Sequence, residues 1–192
     1  MNRLGKSFKK YLRHAASRFH RRRAAPQGGR NAGLLRNAHL PMLALFLSSG
    51  MAQASPCAQP DFAARSVPEL VRLINDFRRR NGAGKLALEP SLMAAAQGHA
   101  CFLARSNQFT HMGKGSPKSR MKRAGCRART TGENIAMGFS SPDKTMKLWL
   151  ESPPHRRILL MRNMTVMGTG VAGSRPAQSG GPRWVLDVAA RC

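Results

Sequence analysis

The sequence predicts an α+β fold in which helices cover a small antiparallel sheet. Three observations carry this. Residues 66–80 and 91–106 place apolar side chains at helical spacing. Two further helix starts follow, at Pro142 and at Ser152-Pro153-Pro154. Two strand candidates, about 164–172 and 183–190, close the chain, joined by the hairpin loop GSRPAQSGGP. A block of helices followed by antiparallel strands is the α+β pattern.

The elements follow in order. Residues 55–65 read as a linker. Ser66 and Glu69 fit a capping box ahead of Leu70, Leu73, Ile74 and Phe77, and Asn81-Gly82 stops that helix. The second helix presents Leu92, Ala95, Ala96, His99, Phe102 and Leu103 on one face. His99 lies on that apolar face, so it reads as a hydrogen-bonded core histidine rather than a ligand. Residues 107–131, rich in Gly, Ser, Lys and Arg, read as a long loop with one helical turn near 118–124. Pro142 opens a helix with Met146, Trp149 and Leu150 inward. Ser152 then caps a short one, with proline at its first position.

The charge is strongly uneven. The 192 residues hold 33 Lys and Arg against eight Asp and Glu, formally +25. Residues 1–39 carry 11 of the bases and no acid, and the uncharged apolar stretch LPMLALFLSSGMAQA follows at 40–54. A basic region, a short apolar region and a small-residue Ala52-Gln53-Ala54 end describe a secretory signal, with cleavage expected after Ala54. The apolar stretch is too short for a membrane span, and no cysteine stands at the cleavage point to take a lipid. Arg21-Arg22-Arg23 lacks the rest of a twin-arginine signal. Setting residues 1–54 aside leaves 22 bases against eight acids, formally +14. The densest remaining runs, RRR at 78–80 and KSRMKRAGCRAR at 118–129, read as a solvated helix end and a solvated loop, the alternative being contact with anionic lipid, cell wall or nucleic acid. A nucleic-acid site is not expected, because the charges are dispersed and no aromatics interleave with them.

All four cysteines, Cys57, Cys101, Cys126 and Cys192, follow the proposed cleavage point. An even count in an exported chain suggests two disulfides. Four cysteines allow three pairings. The one expected here is Cys101–Cys126 with Cys57–Cys192, because the second bridge would tie down both ends of the mature chain.

Among so few acids, Glu133 in TTGENIAMG asks for a reason. The other polar residues that stand out are His111 in QFTHMG and the pair Glu151 and His155 in WLESPPH. Glu151 and His155 are four apart, which on a continuous helix would put them on one face, but the Ser-Pro-Pro break lies between them. Two imidazoles and two carboxylates suit a divalent metal or paired acid/base work. The bland alternative is a buried polar cluster that holds loops together.

The ordered run HMG, RMKRAGC, TGENIAMG, LWLESPPHRRILL, MGTGVA and RWVLDVAA resembles the CAP superfamily, the fold of cysteine-rich secretory and pathogenesis-related proteins, in its bacterial secreted single-domain branch. The resemblance spans roughly residues 66–191. It implies a three-layer α-β-α sandwich with a cleft lined by His111, Glu133 and His155, and by Glu151 in a looser match. It implies His111 and His155 as ligands of a divalent metal such as zinc, with Glu133 holding an imidazole or joining the metal shell. Asn134 would tie the segment to neighbouring backbone. Cys126, and LDVAA in the last strand, depart from the aromatics common at those places.

The resulting expectation is a secreted or periplasmic binding module for a lipid, cell-envelope or other small ligand. It has no specific nucleic-acid partner and no transmembrane segment in its mature part, and its oligomeric state is left open. The rival is a metal-assisted hydrolase with Glu133 or Glu151 as general base. The sequence offers no HExxH, no nucleophile elbow and no Ser-His-Asp order for it, and no residue is assigned a catalytic role.

Overall fold

Ala63, Val67, Leu70, Ile74 and Phe77 recur every three or four residues, and all five are buried. They form one stripe, so helix α1 runs Ala63–Arg80, three residues ahead of the expected start at Ser66. The end of the expected 55–65 linker is therefore helical. Ser66 lies inside the helix, and Glu69 closes no capping box but pairs with Arg72. Pro68 sits within the helix and frees the carbonyl of Ala64. Both residues are exposed, so water can satisfy that group. The helix stops where expected, with Gly82 at φ +67°.

The computed structural model describes residues 57, 59–173 and 180–192. The proposed signal segment, its cleavage point and most of the expected hairpin loop lie outside the described residues. The remaining described elements are strand β1 (Ala87–Leu88), α2 (Pro90–Ser106), α3 (Pro117–Arg123), β2 (Thr131–Met137), α4 (Pro142–Glu151), α5 (Pro153–Leu159), β3 (Val166–Ala172) and β4 (Arg183–Ala189). Caps explain the starts of α3 and α4, whereas Ser152, expected to cap α5, makes no side-chain cap bond and that helix starts on its prolines. Ser116 accepts from the backbone N–H of Ser119, and Ser141 from that of Lys144, each followed by proline at the first helical positions. Ser152 leaves α4 in an extended conformation (φ −101°, ψ 114°), so Glu151 and His155 do not share a helix.

The strands make one sheet in the order β1-β3-β4-β2. β4 pairs antiparallel with β3 on one side and β2 on the other along all seven of its residues, while the two-residue β1 adds a parallel edge to β3. The expected antiparallel sheet is present, with two strands beyond those expected. The side chains of Met167, Val171, Trp184, Leu186, Val188 and Ala136 pack against α1, α4 and α5. The opposite face, with Ile135, Ala172, Val185 and Ala189, packs against α2 and α3. This is a three-layer α-β-α sandwich. β2 is an edge strand, and its exposed backbone is covered rather than left open. Trp149 of α4 covers it by donating its Nε1–H to the Ile135 carbonyl at 3.1 Å, and the Asn134 side chain ties α5 to the strand by donating to the His155 carbonyl at 3.0 Å.

Two expectations are corrected. The disulfides are Cys57–Cys101 and Cys126–Cys192, not Cys101–Cys126 with Cys57–Cys192. The segment before α1 runs along α2, where Gln59 donates to Gln97 at 2.9 Å, and this brings Cys57 to Cys101. The chain end leaves β4 beside the start of β2, where Ala190 donates to the Thr130 carbonyl, and this brings Cys192 to Cys126. Each end is tied to the body of the domain rather than to the other end. Closing loops of 44 and 66 residues, each bridge stabilises by about 4 kcal/mol on the chain-entropy model. The run at 78–80 is not wholly solvated either. Arg78 is buried, and its guanidinium donates to the carbonyls of Gly84, Leu159, Met161 and Met164. It pins the loop after α1 to the segment joining α5 and β3.

Candidate functional site

The site is built on β2 and the loop before α3. Successive strand residues face opposite sides, so Glu133 points to the α2 layer while Asn134 points to the α5 layer. Glu133 is 1% exposed at its side chain. A buried carboxylate demands partners, and it has two. Its Oε1 accepts from His111 Nδ1 at 2.7 Å, and its Oε2 accepts from Arg120 Nη2. Because a carboxylate only accepts, Nδ1 of His111 carries a hydrogen, and in the neutral ring Nε2 is then the nitrogen with the lone pair. The His111 side chain is 46% exposed, so that nitrogen is open to a ligand.

Arg120 is the residue the sequence concealed. It sits in the run expected to be a solvated loop, yet it is buried. Beyond Glu133, its Nη1 donates to the carbonyls of His111, Gly113 and Gly115. One guanidinium thus fixes both the carboxylate and the backbone of the histidine that the carboxylate holds. Burial pushes the Glu133 carboxyl up. The hydrogen bond from His111 and the charge and hydrogen bond of Arg120 outweigh it, so the group stays below the usual carboxylate range and ionised.

His99 stands behind this pair on α2, fully buried, with Nε2 3.0 Å from the Thr110 carbonyl and 3.8 Å from Glu133 Oε1. The carbonyl accepts, so Nε2 carries the hydrogen. Burial depresses the basicity of His99, partly offset by Glu133, and it remains a neutral core histidine, as expected. His155 approaches from α5, partly buried, with no hydrogen-bond partner at Nδ1. Burial, and then the charge of His111, keep it below the ordinary histidine value. Asn134 does bind the backbone of His155, as expected. Glu151 stands apart. It is exposed at the end of α4, 3.7 Å from Lys147 Nζ, and is not among the groups bonded to His111, Glu133 or Arg120.

A second acid completes the site. Asp187 of β4 lies directly opposite Glu133 across the ladder. It is fully buried, and no donor reaches either carboxyl oxygen. Burial first, and then the Glu133 charge, raise it well above the usual carboxylate range, so it is a neutral acid beside an ionised one. The lone acid in the apolar run WVLDVAA was the sequence signal for it. The folded state holds this proton more tightly than the unfolded chain. Its stabilisation is therefore complete below about pH 4, the unfolded Asp value, and falls as pH rises toward the folded value. Asp187→Asn should accordingly gain stability over wild type from pH 5 to pH 8, read as denaturant midpoints. An equal loss at every pH would show that Asp187 is not held neutral.

Comparison with known proteins bears on what this geometry is. The family model described as CAP, cysteine-rich secretory protein family, matches residues 71–187, more than half the chain. The chain belongs to the cysteine-rich secretory protein family. It is 33% identical over 108 residues to the uncharacterized protein YkwD of Bacillus subtilis, covering 55% of this chain and 42% of that one. It is 31% identical over 121 residues to the uncharacterized membrane protein YlbC of the same organism, covering 62% of this chain and 35% of that one. The chain therefore spans less than half the length of these curated relatives. Among solved structures, an extracellular SCP-domain protein of Bacillus anthracis superposes with a TM-score of 0.57 at 25% identity, over 64% of this chain and 39% of that one. An outer surface protein of Borrelia burgdorferi shares the fold, with a TM-score of 0.63 at 20% identity over 71% of this chain and 99% of that one. Extracellular relatives and two disulfides are consistent with secretion for this CAP protein. Among the described residues no helix is long and apolar enough to cross a membrane.

Proposed function

We propose that this CAP domain is exported to the periplasm or beyond and acts as a binding module. In this reading its cleft beside β2 takes a small ligand, with a divalent metal such as zinc at His111 and His155. One observation carries the reading: His111 is held at Nδ1 by a carboxylate that is itself wholly committed, which leaves an oriented, exposed Nε2. A metal-binding imidazole is commonly fixed in this way by an acid at its other nitrogen. Nδ1 of His155 is buried and makes no hydrogen bond within the fold, a condition it shares with Nδ1 of His99. These donors fit zinc chemically. Among the described residues no three His, Cys, Asp or Glu side chains converge as a ligand set. The protein's share is then two nitrogens, and the affinity is modest. A metal so held would supply a Lewis-acidic position open to a ligand's oxygen or nitrogen.

The hydrolase reading is less well supported. Both oxygens of Glu133 are engaged, so it is poorly placed to take a proton, and Glu151 is exposed against Lys147. Calorimetric titration of zinc into metal-free protein tests the proposal. Wild type should bind, and His111→Ala and His155→Ala should each abolish binding with the fold intact. Glu133→Gln should weaken binding less, because it alters orientation rather than ligation. Identical heats in wild type and both histidine variants, or none at millimolar zinc, would assign the cluster to structure alone.

A further inference from the structure

Residues 107–129 contain seven Lys and Arg and no Asp or Glu. Arg120 is buried and spent on Glu133, while Lys114, Lys118, Lys122, Arg123, Arg127 and Arg129 are exposed. Glu133 is committed to Arg120 and His111, and among the described residues none of these six cations is in an ion pair with an acid. The same segment holds two large apolar side chains in water, Phe109 at 46% and Met112 at 64% exposure. They flank His111. The backbone beneath them is fixed. Arg120 clamps the carbonyls of His111, Gly113 and Gly115, and a Cβ at Gly113 would fall 2.0 Å from the Phe102 ring. Arg123 donates to the Lys114 carbonyl and Lys118 to that of Arg129, so loop and helix α3 form one continuous surface.

We propose that this surface docks onto an anionic lipid bilayer, with Phe109 and Met112 entering the interface and the surrounding cations meeting the headgroups. The proposal goes beyond the cleft reading and does not depend on a metal there. Charge complementarity selects an anionic partner, and each cation near such a membrane strengthens binding about fivefold. The two apolar side chains select a bilayer over a soluble polyanion, since a polyanion offers them no hydrocarbon to enter and a single aromatic makes no stacking platform. Because the loop is already ordered, docking costs little conformational entropy. Docked in this way, His111 would face the membrane surface, and the cleft would meet ligands there.

Hydrogen exchange read by mass spectrometry on the full chain tests this segment by segment. It separates residues 107–129 from the basic residues 1–39, which would bind the same vesicles. With phosphatidylcholine vesicles containing phosphatidylglycerol, peptides across 107–116 should exchange more slowly; with phosphatidylcholine alone they should not. Phe109→Ser with Met112→Ser should weaken that local protection by about tenfold in lipid concentration. Lys122→Gln with Arg127→Gln, both exposed, should weaken it by about 25-fold. Unchanged exchange in β4 reports an intact fold, and the exposed charge pair decides the matter if the apolar pair unfolds. The proposal fails if 107–116 gains no protection, gains it equally from neutral vesicles, or is insensitive to the charge pair. It also fails if soluble polyphosphate alone reproduces the protection, which would make the segment a polyanion site.

Discussion

Arg120→Ala is expected to destabilise the domain by about 3–5 kcal/mol, because it strands a buried charge. Glu133 would keep one partner, His111, and lose the cation that offsets its burial. The carbonyls of His111, Gly113 and Gly115 would lose their shared donor at the same time. Against a typical total of about 5–15 kcal/mol, that is a large fraction. Arg120→Lys should recover little, since an ammonium cannot reproduce the planar fork that reaches the carboxylate and three carbonyls at once. Glu133→Gln placed on top of Arg120→Ala should cost less than the sum of the two single changes, because it removes the stranded charge. Denaturant midpoints of the two single variants and the double variant would measure this coupling. Additive losses would mean that the two side chains are not a functional pair.

Gly168→Ala is expected to cost about 3 kcal/mol or more, or to prevent folding. The reason is steric and lies in the backbone. A Cβ there would stand 2.1 Å from the Leu92 carbonyl carbon and 2.2 Å from the Met93 nitrogen. Two positions on, at Gly170, it would meet the Gln97 Cα at 2.5 Å. Helix α2 therefore lies directly on β3, and no rotamer change relieves the collision. This close approach sets the height of α2, and with it His99 and the roof over Glu133 and Asp187. Gly98→Ala, on α2 with nothing within 4 Å of the added carbon, should be neutral or stabilise by up to about 1 kcal/mol. Thermal melts of the two variants compare the same chemical change in opposite settings. Similar losses in both would contradict the close-packing account.

The parts of this fold that were legible in the sequence are those whose signals are local. Ser141-Pro142 marks a helix start by a cap and a proline within one turn, Pro153 marks the next by its fixed φ without a cap from Ser152, and β3 and β4 show as apolar runs around a Gly-Pro loop. β2 was not legible. Thr-Gly-Glu-Asn-Ile-Ala-Met has few strand-favouring residues and no alternation, and it is extended because β4 pairs with it along its length. The same distinction holds at the site. His111 and Glu133 were brought together by resemblance, and they do bond. Arg120 could not be told from Lys118, Lys122 and Arg123, because what separates it is burial. Asp187 enters only through strand register. The disulfide pairing depended on where the chain ends lie in space, and spacing along the sequence did not carry it.

Glu133 fixes the orientation and tautomer of His111, with Nδ1 donating to the carboxylate and Nε2 presented to a ligand. Nitrogen-15 NMR of the histidine rings at neutral pH tests it most directly, first without metal and then with added zinc. The account predicts hydrogen on Nδ1 of His111 throughout, bonded to Glu133, and zinc-dependent shifts at His111 Nε2 together with a nitrogen of His155. An Nδ1 of His111 without hydrogen in the metal-free protein, or zinc shifting other histidines while these two stay unmoved, would contradict it.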